Sequence, residues 1–468
     1  MFSFVLAAVV LWAAVRDSPL GVLLAFMLVS SAVVVLAARP RLLVPATLVA
    51  LTVATPAGVP SGFGGLLFYE VLLLPTLVYV ALRTPPTLRA VRWLSAYAIG
   101  IGLGVTVALF SGHEPSRVFA DVRFPIALGA CYFVAAGTVH HRKVYSVLLA
   151  ARVSLWISCS LLLLAVFTGL TLSGRSETAS LDTSDVASTS AIRYLTMATM
   201  FALAVLCAVV VALALGQMRL RAALHYLAPA AVIVFLSFSR NSILALAVSL
   251  VFAVVVSNGL RDKRRVVGQV LVKGLVGLLF LLVLVQSGVL RDTAVGENID
   301  AYVDRVVTGL SSDARRTDPS LLYRQSEVQP LWDTFTASPI VGRGFGYAYK
   351  APYGSGFTAD DGRYYAHHWY LWLLAKAGVV GMLGFAILVV ASLAGCRRSQ
   401  LGVPLGGAAV GLLTISVVAP VPLGSGAGVL GALLGAVVFQ GDAVRSTEAR
   451  LMHGAGAVDA SGFSSPVP

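Results

Sequence analysis

Two histidines and two arginines are the residues of this chain whose types and placement best suit chemistry. His367 and His368 close a polar stretch, residues 289–368, just where Trp369 opens an apolar run. Histidine exchanges protons near neutral pH and is the commonest general base. Arg240 lies in a tight connection, Ser239-Arg240-Asn241, between two apolar runs. Arg324 lies within the polar stretch, one turn before Val328 of an expected helix. A guanidinium offers a planar fork that grips a phosphate or carboxylate at two points. Each residue also has a plainer reading. Arg240 could snorkel at an interface, Arg324 could pair on a surface with Glu327, and His367 could cap the next helix. For His368 the capping role is the favoured one.

The elements that must hold these residues are membrane helices. Hydrophobic residues make up 58% and charged residues 12% of the 468 positions, with mean hydropathy +0.88. A soluble domain carries roughly 25% charged residues. The expected fold is all-α: a polytopic transmembrane bundle of about 12–14 spans, each near 20 residues. Spans are expected at 2–15, 19–38, 42–55, 65–82, 93–111, 124–139, 145–171, 194–216, 222–239, 241–259, 266–288, 369–395, 402–420 and 422–440. The first run lacks a basic leader and a second follows at once, so it reads as a retained helix. The bundle is expected to occupy 1–440, with a large extracytoplasmic loop at 289–368. The Gly-, Ala- and Ser-rich tail, 441–468, is expected to be disordered and cytoplasmic.

Orientation follows from charge. The net +13 suggests nucleic acid, but the basic residues form short clusters between apolar runs, so no nucleic-acid partner is expected. Clusters at Arg39/Arg41, Arg83/Arg89/Arg92, Arg142/Lys143, Arg219/Arg221, Arg261/Lys263/Arg264/Arg265 and Arg397/Arg398 fall in alternate connections. The positive-inside rule puts these, and both termini, in the cytoplasm. The loop 289–368 and the Arg240 turn then share the outer face, as do Arg117, Arg123, Arg175 and Arg193. The loop's ten acidic residues outnumber its eight basic ones, as in a hydrated domain rather than a polybasic arm. Inside it, Asp318-Pro319 starts a helix and Ser338-Pro339 ends it. Pro330 is a place for a kink. Gly342-Arg343-Gly344-Phe345-Gly346 is a tight turn.

Other residues carry weaker signals. Cys131, Cys159, Cys207 and Cys396 lie in or beside apolar runs without ligand spacing and read as small core residues. No metal or cofactor is expected; Asp360-Asp361 is the single adjacent acidic pair of the external segments. Glu70, Arg152 and Lys273 fall within expected spans, where charge signals function. Glu70 has no evident sequence partner. Five lysines among 34 basic residues, with abundant Ala, Val and Gly, hint at a high-GC bacterial source.

Three segments resemble the O-antigen ligase and O-antigen polymerase family of bacterial polysaccharide enzymes. The first is Phe238-Ser239-Arg240-Asn241-Ser242-Ile243-Leu244, similar to a Ser-Arg turn that opens a helix. The second runs from Arg324 through Trp332 to Pro339-Ile340-Val341-Gly342-Arg343-Gly344-Phe345-Gly346. The third runs from His367-His368-Trp369-Tyr370-Leu371 to Ala377-Gly378-Val379-Val380-Gly381, where His367 and Gly378 have the family's histidine, ten residues, glycine separation. The likeness covers roughly residues 225–395. The family usually has Asn where this chain has His368, which leaves open which imidazole faces substrate; the spacing favours His367.

The resemblance implies a glycan transferase in the cytoplasmic membrane, using a polyprenyl-diphosphate-linked glycan donor and a glycan or other surface acceptor. It implies His367 as base and Arg240 and Arg324 as holders of the diphosphate. Arg343, His368 and Arg123 are candidate substrate contacts. One-step displacement from an α-linked donor would invert the anomeric centre. Two other classes compete. A polyprenyl-monophosphate glycosyltransferase would need an early external carboxylate, here only Asp17, Glu114 or Asp121. A lipid-linked glycan flippase would favour internal repeats, and none is evident.

Overall fold

In the computed structural model the described residues are 39–57, 62–63, 66–139, 144–178, 192–257, 263–264, 266–269, 296, 319–352, 361–398 and 401–438. The expected spans 2–15 and 19–38, most of 266–288, loop residues 289–295, 297–318 and 353–360, and the tail lie outside them.

The described chain is all-α apart from two short antiparallel hairpins, β1 (Gly62–Phe63) with β2 (Leu66–Leu67) and β3 (Arg175–Thr178) with β4 (Ile192–Leu195). The helices are α1 (Leu43–Thr52), α2 (Phe68–Arg83), α3 (Leu88–Phe110), α4 (Pro115–Thr138), α5 (Val144–Thr168), α6 (Met197–Ala214), α7 (Leu220–Leu236), α8 (Asn241–Val256), α9 (Pro319–Ala337), α10 (Trp369–Leu393), α11 (Gly402–Ile415) and α12 (Gly426–Val438). Among the described residues five helices are long and apolar enough to cross a membrane, α3, α4, α10, most of α5, and α6; five further apolar stretches are shorter.

Small residues let the helix backbones meet, as is usual where both sides of an interface are apolar. A Cβ on Gly100 of α3 would lie 2.9 Å from the Gly381 Cα of α10, and one on Gly384 would lie 2.6 Å from the Ala96 carbonyl oxygen. Thus α3 and α10 run antiparallel. Gly411 of α11 meets Ala245 of α8, and Gly407 meets Ser249, whose hydroxyl donates to the Gly407 carbonyl at 2.8 Å. These two helices are antiparallel as well. Gly431 and Gly435 of α12 sit against Leu128 and Tyr132 of α4, in parallel.

This register sorts the connections between two ends of the bundle. One end gathers the Gly112–Glu114 turn, the Gly342–Lys350 segment, His367 and His368, the C-terminus of α11 and the start of α8 at Arg240. The Trp369 amide donates to the Ser416 carbonyl there, at 3.1 Å. The other end gathers Arg83 and Arg89, near which Gly137 of α4 abuts the Thr84 carbonyl. It also holds Arg397, since Cys396 packs with Ala253 and Val256 at the far end of α8. Arg219 and Arg221 follow the end of α6 on that same side. The clusters at Arg83/Arg89, Arg219/Arg221 and Arg397 therefore lie away from His367.

One span begins earlier than its hydropathy suggests. The expected span at 124–139 is a 24-residue helix starting at Pro115. Asp121 and Arg123 interrupt the apolar pattern but are paired inside the bundle, so they do not break the helix. Arg123 donates to both Glu70 oxygens, at 3.0 and 2.8 Å. That is the partner the sequence did not reveal. Glu70 also accepts from the Leu67 amide at 2.8 Å, fixing the start of α2.

Candidate active site

The centre of the site is a helix break. Gly378 has φ +63° inside α10, in the left-handed region that glycine alone enters cheaply. The break frees backbone groups of α10, and the segment after α9 takes them up. Val379 and Val380 amides donate to the Pro339 and Ile340 carbonyls at 2.9 and 3.1 Å. In return, Arg343 and Gly344 amides donate to the Ala375 and Lys376 carbonyls, both at 2.9 Å. A Cβ on Gly378 would lie 2.3 Å from the Ile340 oxygen, and one on Gly342 would lie 2.5 Å from the Lys376 carbonyl. The glycine separation noted in the sequence is thus a docking of two backbones.

A buried ion pair locks this dock to α4. Lys376, fully buried, donates to Asp121 at 2.6 Å and to the Tyr347 carbonyl at 2.6 Å. Asp121 also accepts from the Gly346 amide at 2.7 Å. A buried charge is tolerated only when paired and hydrogen-bonded, and here both are. Asp121 is the carboxylate on which the monophosphate alternative would lean. Its geometry is that of a structural tie.

His367 sits in the next layer. Its imidazole makes T-shaped contacts with Tyr323 and Tyr365, with centroids at 5.7 and 5.5 Å and planes at 87° and 84°. Its backbone amide donates to Glu327 Oε2 at 2.8 Å, and its Nδ1 lies 3.2 Å from the same oxygen. Glu327 is fully buried and also receives Lys350 Nζ at 3.4 Å, while Lys350 donates to the Tyr323 hydroxyl at 2.9 Å. Burial pushes the Glu327 carboxyl upward, but the His367 and Lys350 contacts outweigh it and hold it below its ordinary value. An ionised carboxylate can only accept, so the Nδ1 facing it is a donor, and in the neutral ring Nε2 then keeps the lone pair.

Glu327 is the residue that sequence reading missed. It was weighed only as a surface companion of Arg324, and it is buried. The helix α9 is continuous from Pro319 to Ala337, through Pro330. Its covered stripe is Glu327, Leu331 and Thr334, whereas Val328 and Trp332 are 42% and 47% exposed. An acid at helical spacing with a buried leucine was the available signal.

The remaining candidates divide. Arg324 lies one turn from Glu327 on α9, beside the His367 layer. Arg240 precedes α8 at the same end of the bundle, just after Phe238, a non-glycine residue at φ +45°. His368 is the N-cap of α10, its Nδ1 a long 3.5 Å from the Leu371 amide. Burial lowers its imidazole pKa, against smaller opposing effects of its own backbone and Glu327. Arg343 is exposed in the docked turn, 5.9 Å over the Tyr347 ring. Arg123 is engaged by Glu70. Arg117 stacks 4.8 Å over Tyr364. The side chains of Arg175, Arg193 and Asp361, and all of Asp360, lie outside the described residues. Among the described residues no three His, Cys, Asp or Glu side chains form a cluster able to hold a metal.

These helices and their ends define an all-α polytopic membrane protein with a polar site at one end. Residues 225–386 match the family model described as O-antigen ligase, so the family resemblance read from three segments holds across the region that carries Arg240, Arg324, Glu327, His367 and Gly378. The match supports a membrane enzyme of surface polysaccharide biosynthesis, one that processes lipid-linked glycan. No curated protein and no solved structure matches the chain.

Proposed function

We propose that this protein transfers or polymerises a polyprenyl-diphosphate-linked oligosaccharide at the outer face of the cytoplasmic membrane, by a metal-independent, inverting displacement. The observation that carries the reading is the seating of His367. Within the family-matching region, its ring packs against Tyr323 and Tyr365 with Nδ1 at Glu327, at the bundle end remote from Arg83, Arg219 and Arg397. That end is read as external because the positive-inside rule assigns the other to the cytoplasm.

In this reading His367 Nε2 takes the proton of an acceptor hydroxyl as the hydroxyl attacks the anomeric carbon of the donor. The bond to the lipid diphosphate breaks, and the diphosphate leaves with the electron pair. Arg240 and Arg324 stabilise its growing charge, a contribution that counts most where water is excluded. Polymerase and ligase share this donor chemistry and differ in the acceptor. A high-GC Gram-positive source, at which the composition hints, would lack lipopolysaccharide and so favour polymerisation or transfer to another surface acceptor.

Two experiments test the assignment. Purified protein in vesicles with the lipid-linked donor should form new glycosidic bonds; donor movement across the bilayer without bond formation would instead identify a flippase. In a deletion strain, a lost polymer indicates a polymerase, and accumulated lipid-linked polymer indicates a ligase.

A further inference from the structure

We propose that Glu327 is the positioning residue of the His367 base, and that Lys350 balances the charge of that pair. The proposal rests on the reading of His367 as base and names what makes it one. Glu327 binds the same residue at two points, the backbone amide and the ring Nδ1. This fixes both where the histidine enters the site and how its ring is turned. Tyr323 and Tyr365 each pack against the ring at nearly right angles. The opposite tautomer would set an Nδ1 lone pair against a carboxylate. The arrangement therefore selects the tautomer with a basic Nε2, as an orienting carboxylate does for other catalytic histidines.

A lone buried carboxylate would also favour the imidazolium, which cannot accept a proton. Lys350 opposes that bias. Its Nζ lies 3.4 Å from Glu327 Oε1 and is steadied by the Tyr323 hydroxyl. The other groups around the pair do not titrate against it near neutral pH. From the loop, Tyr349 is kept protonated, first by burial and then by Glu327, and burial keeps His368 neutral. On α9, Arg324 is permanently charged, as is Arg363 beside Tyr364.

The test uses the full-length protein in detergent or vesicles, with selectively ¹⁵N-labelled histidine and the pH–rate profile of glycan transfer. His367→Ala identifies the resonance and tests the base itself. The wild type should show His367 protonated at Nδ1, and Glu327→Gln should mix the tautomers. The same variant should lower kcat between about tenfold and 10⁴-fold with little change in KM, and Glu327→Asp should recover part of it. Lys350→Met should move the acidic limb of the profile to higher pH, and Glu327→Gln should move it to lower pH. Unchanged tautomer and limb in Glu327→Gln, with His367→Ala inactive, would overturn the role of Glu327 alone. A Lys350→Met limb that stays in place or moves down would overturn the balancing role. A fully active His367→Ala would overturn the base reading and this proposal with it.

Discussion

At the scale of single residues, the two neighbouring histidines have different work. His367 is held by Glu327 through its ring and its amide, whereas His368 caps α10. His367→Ala should therefore cut transfer by about 10²–10⁴, the usual cost of losing a general base. His368→Asn should keep activity, because Asn is a good N-cap. Rates of both variants, measured at matched expression and insertion, check this; an active His367→Ala beside a dead His368→Asn would reverse the assignment. Arg240→Lys and Arg324→Lys should both be poor, since a point charge cannot reproduce a two-point fork. In the proposed mechanism those two arginines stand in place of a divalent ion. Activity should survive a chelator, and complete loss restored by magnesium or manganese would refute the metal-independent mechanism.

At the scale of elements, the site depends on a helix that is broken at one residue. Gly378 lets α10 open so that the segment after α9 can hydrogen-bond into the gap. Gly378→Ala must hold a left-handed conformation, costing at least about 1–3 kcal/mol, and its methyl would also overlap the Ile340 carbonyl. The expected result is a lower melting temperature in detergent together with lost transfer, because α9 carries Arg324 and Glu327. By contrast Gly102→Ala, in open space on α3, should melt at or above the wild-type temperature, since alanine is the better helix former. A Gly378→Ala protein as stable as the wild type would show that the docked geometry is not needed for folding.

At the scale of the whole molecule, the bundle has two chemically distinct ends. The basic connections with Arg83, Arg89, Arg219, Arg221 and Arg397 lie at one end, and His367 lies at the other. Single cysteines at exposed Ala351 and at Ser312 should react with an impermeant thiol reagent in intact cells. One at Arg397 should react only after permeabilisation. The four native cysteines are buried, so the background should be low. Protection at Ala351 with labelling at Arg397 in intact cells would invert the topology and remove the proposed access to surface acceptors.

Much of this was legible in the sequence because hydropathy and charge are local properties. An apolar run of span length must be a helix in a bilayer, since no water satisfies its backbone. Thus α3, α5, α6, α8 and α10 fall where their apolar runs predict, and the basic clusters sort themselves to one end. The histidine, the arginines and the glycine spacing were visible as a pattern, but not what the pattern does. Glu70 had no visible partner because Arg123 lies 53 positions away. Asp121 and Lys376 are 255 positions apart. Glu327 lies 40 positions before the histidine that it orients. Charge pairs inside a membrane bundle form across helices, at separations that no local window samples. Sequence alone determined that this is a membrane bundle with basic connections and one polar, histidine-bearing segment. Only the tertiary structure decided which carboxylate meets which cation, because a buried charge is stable only beside its partner, and chain folding chooses that partner.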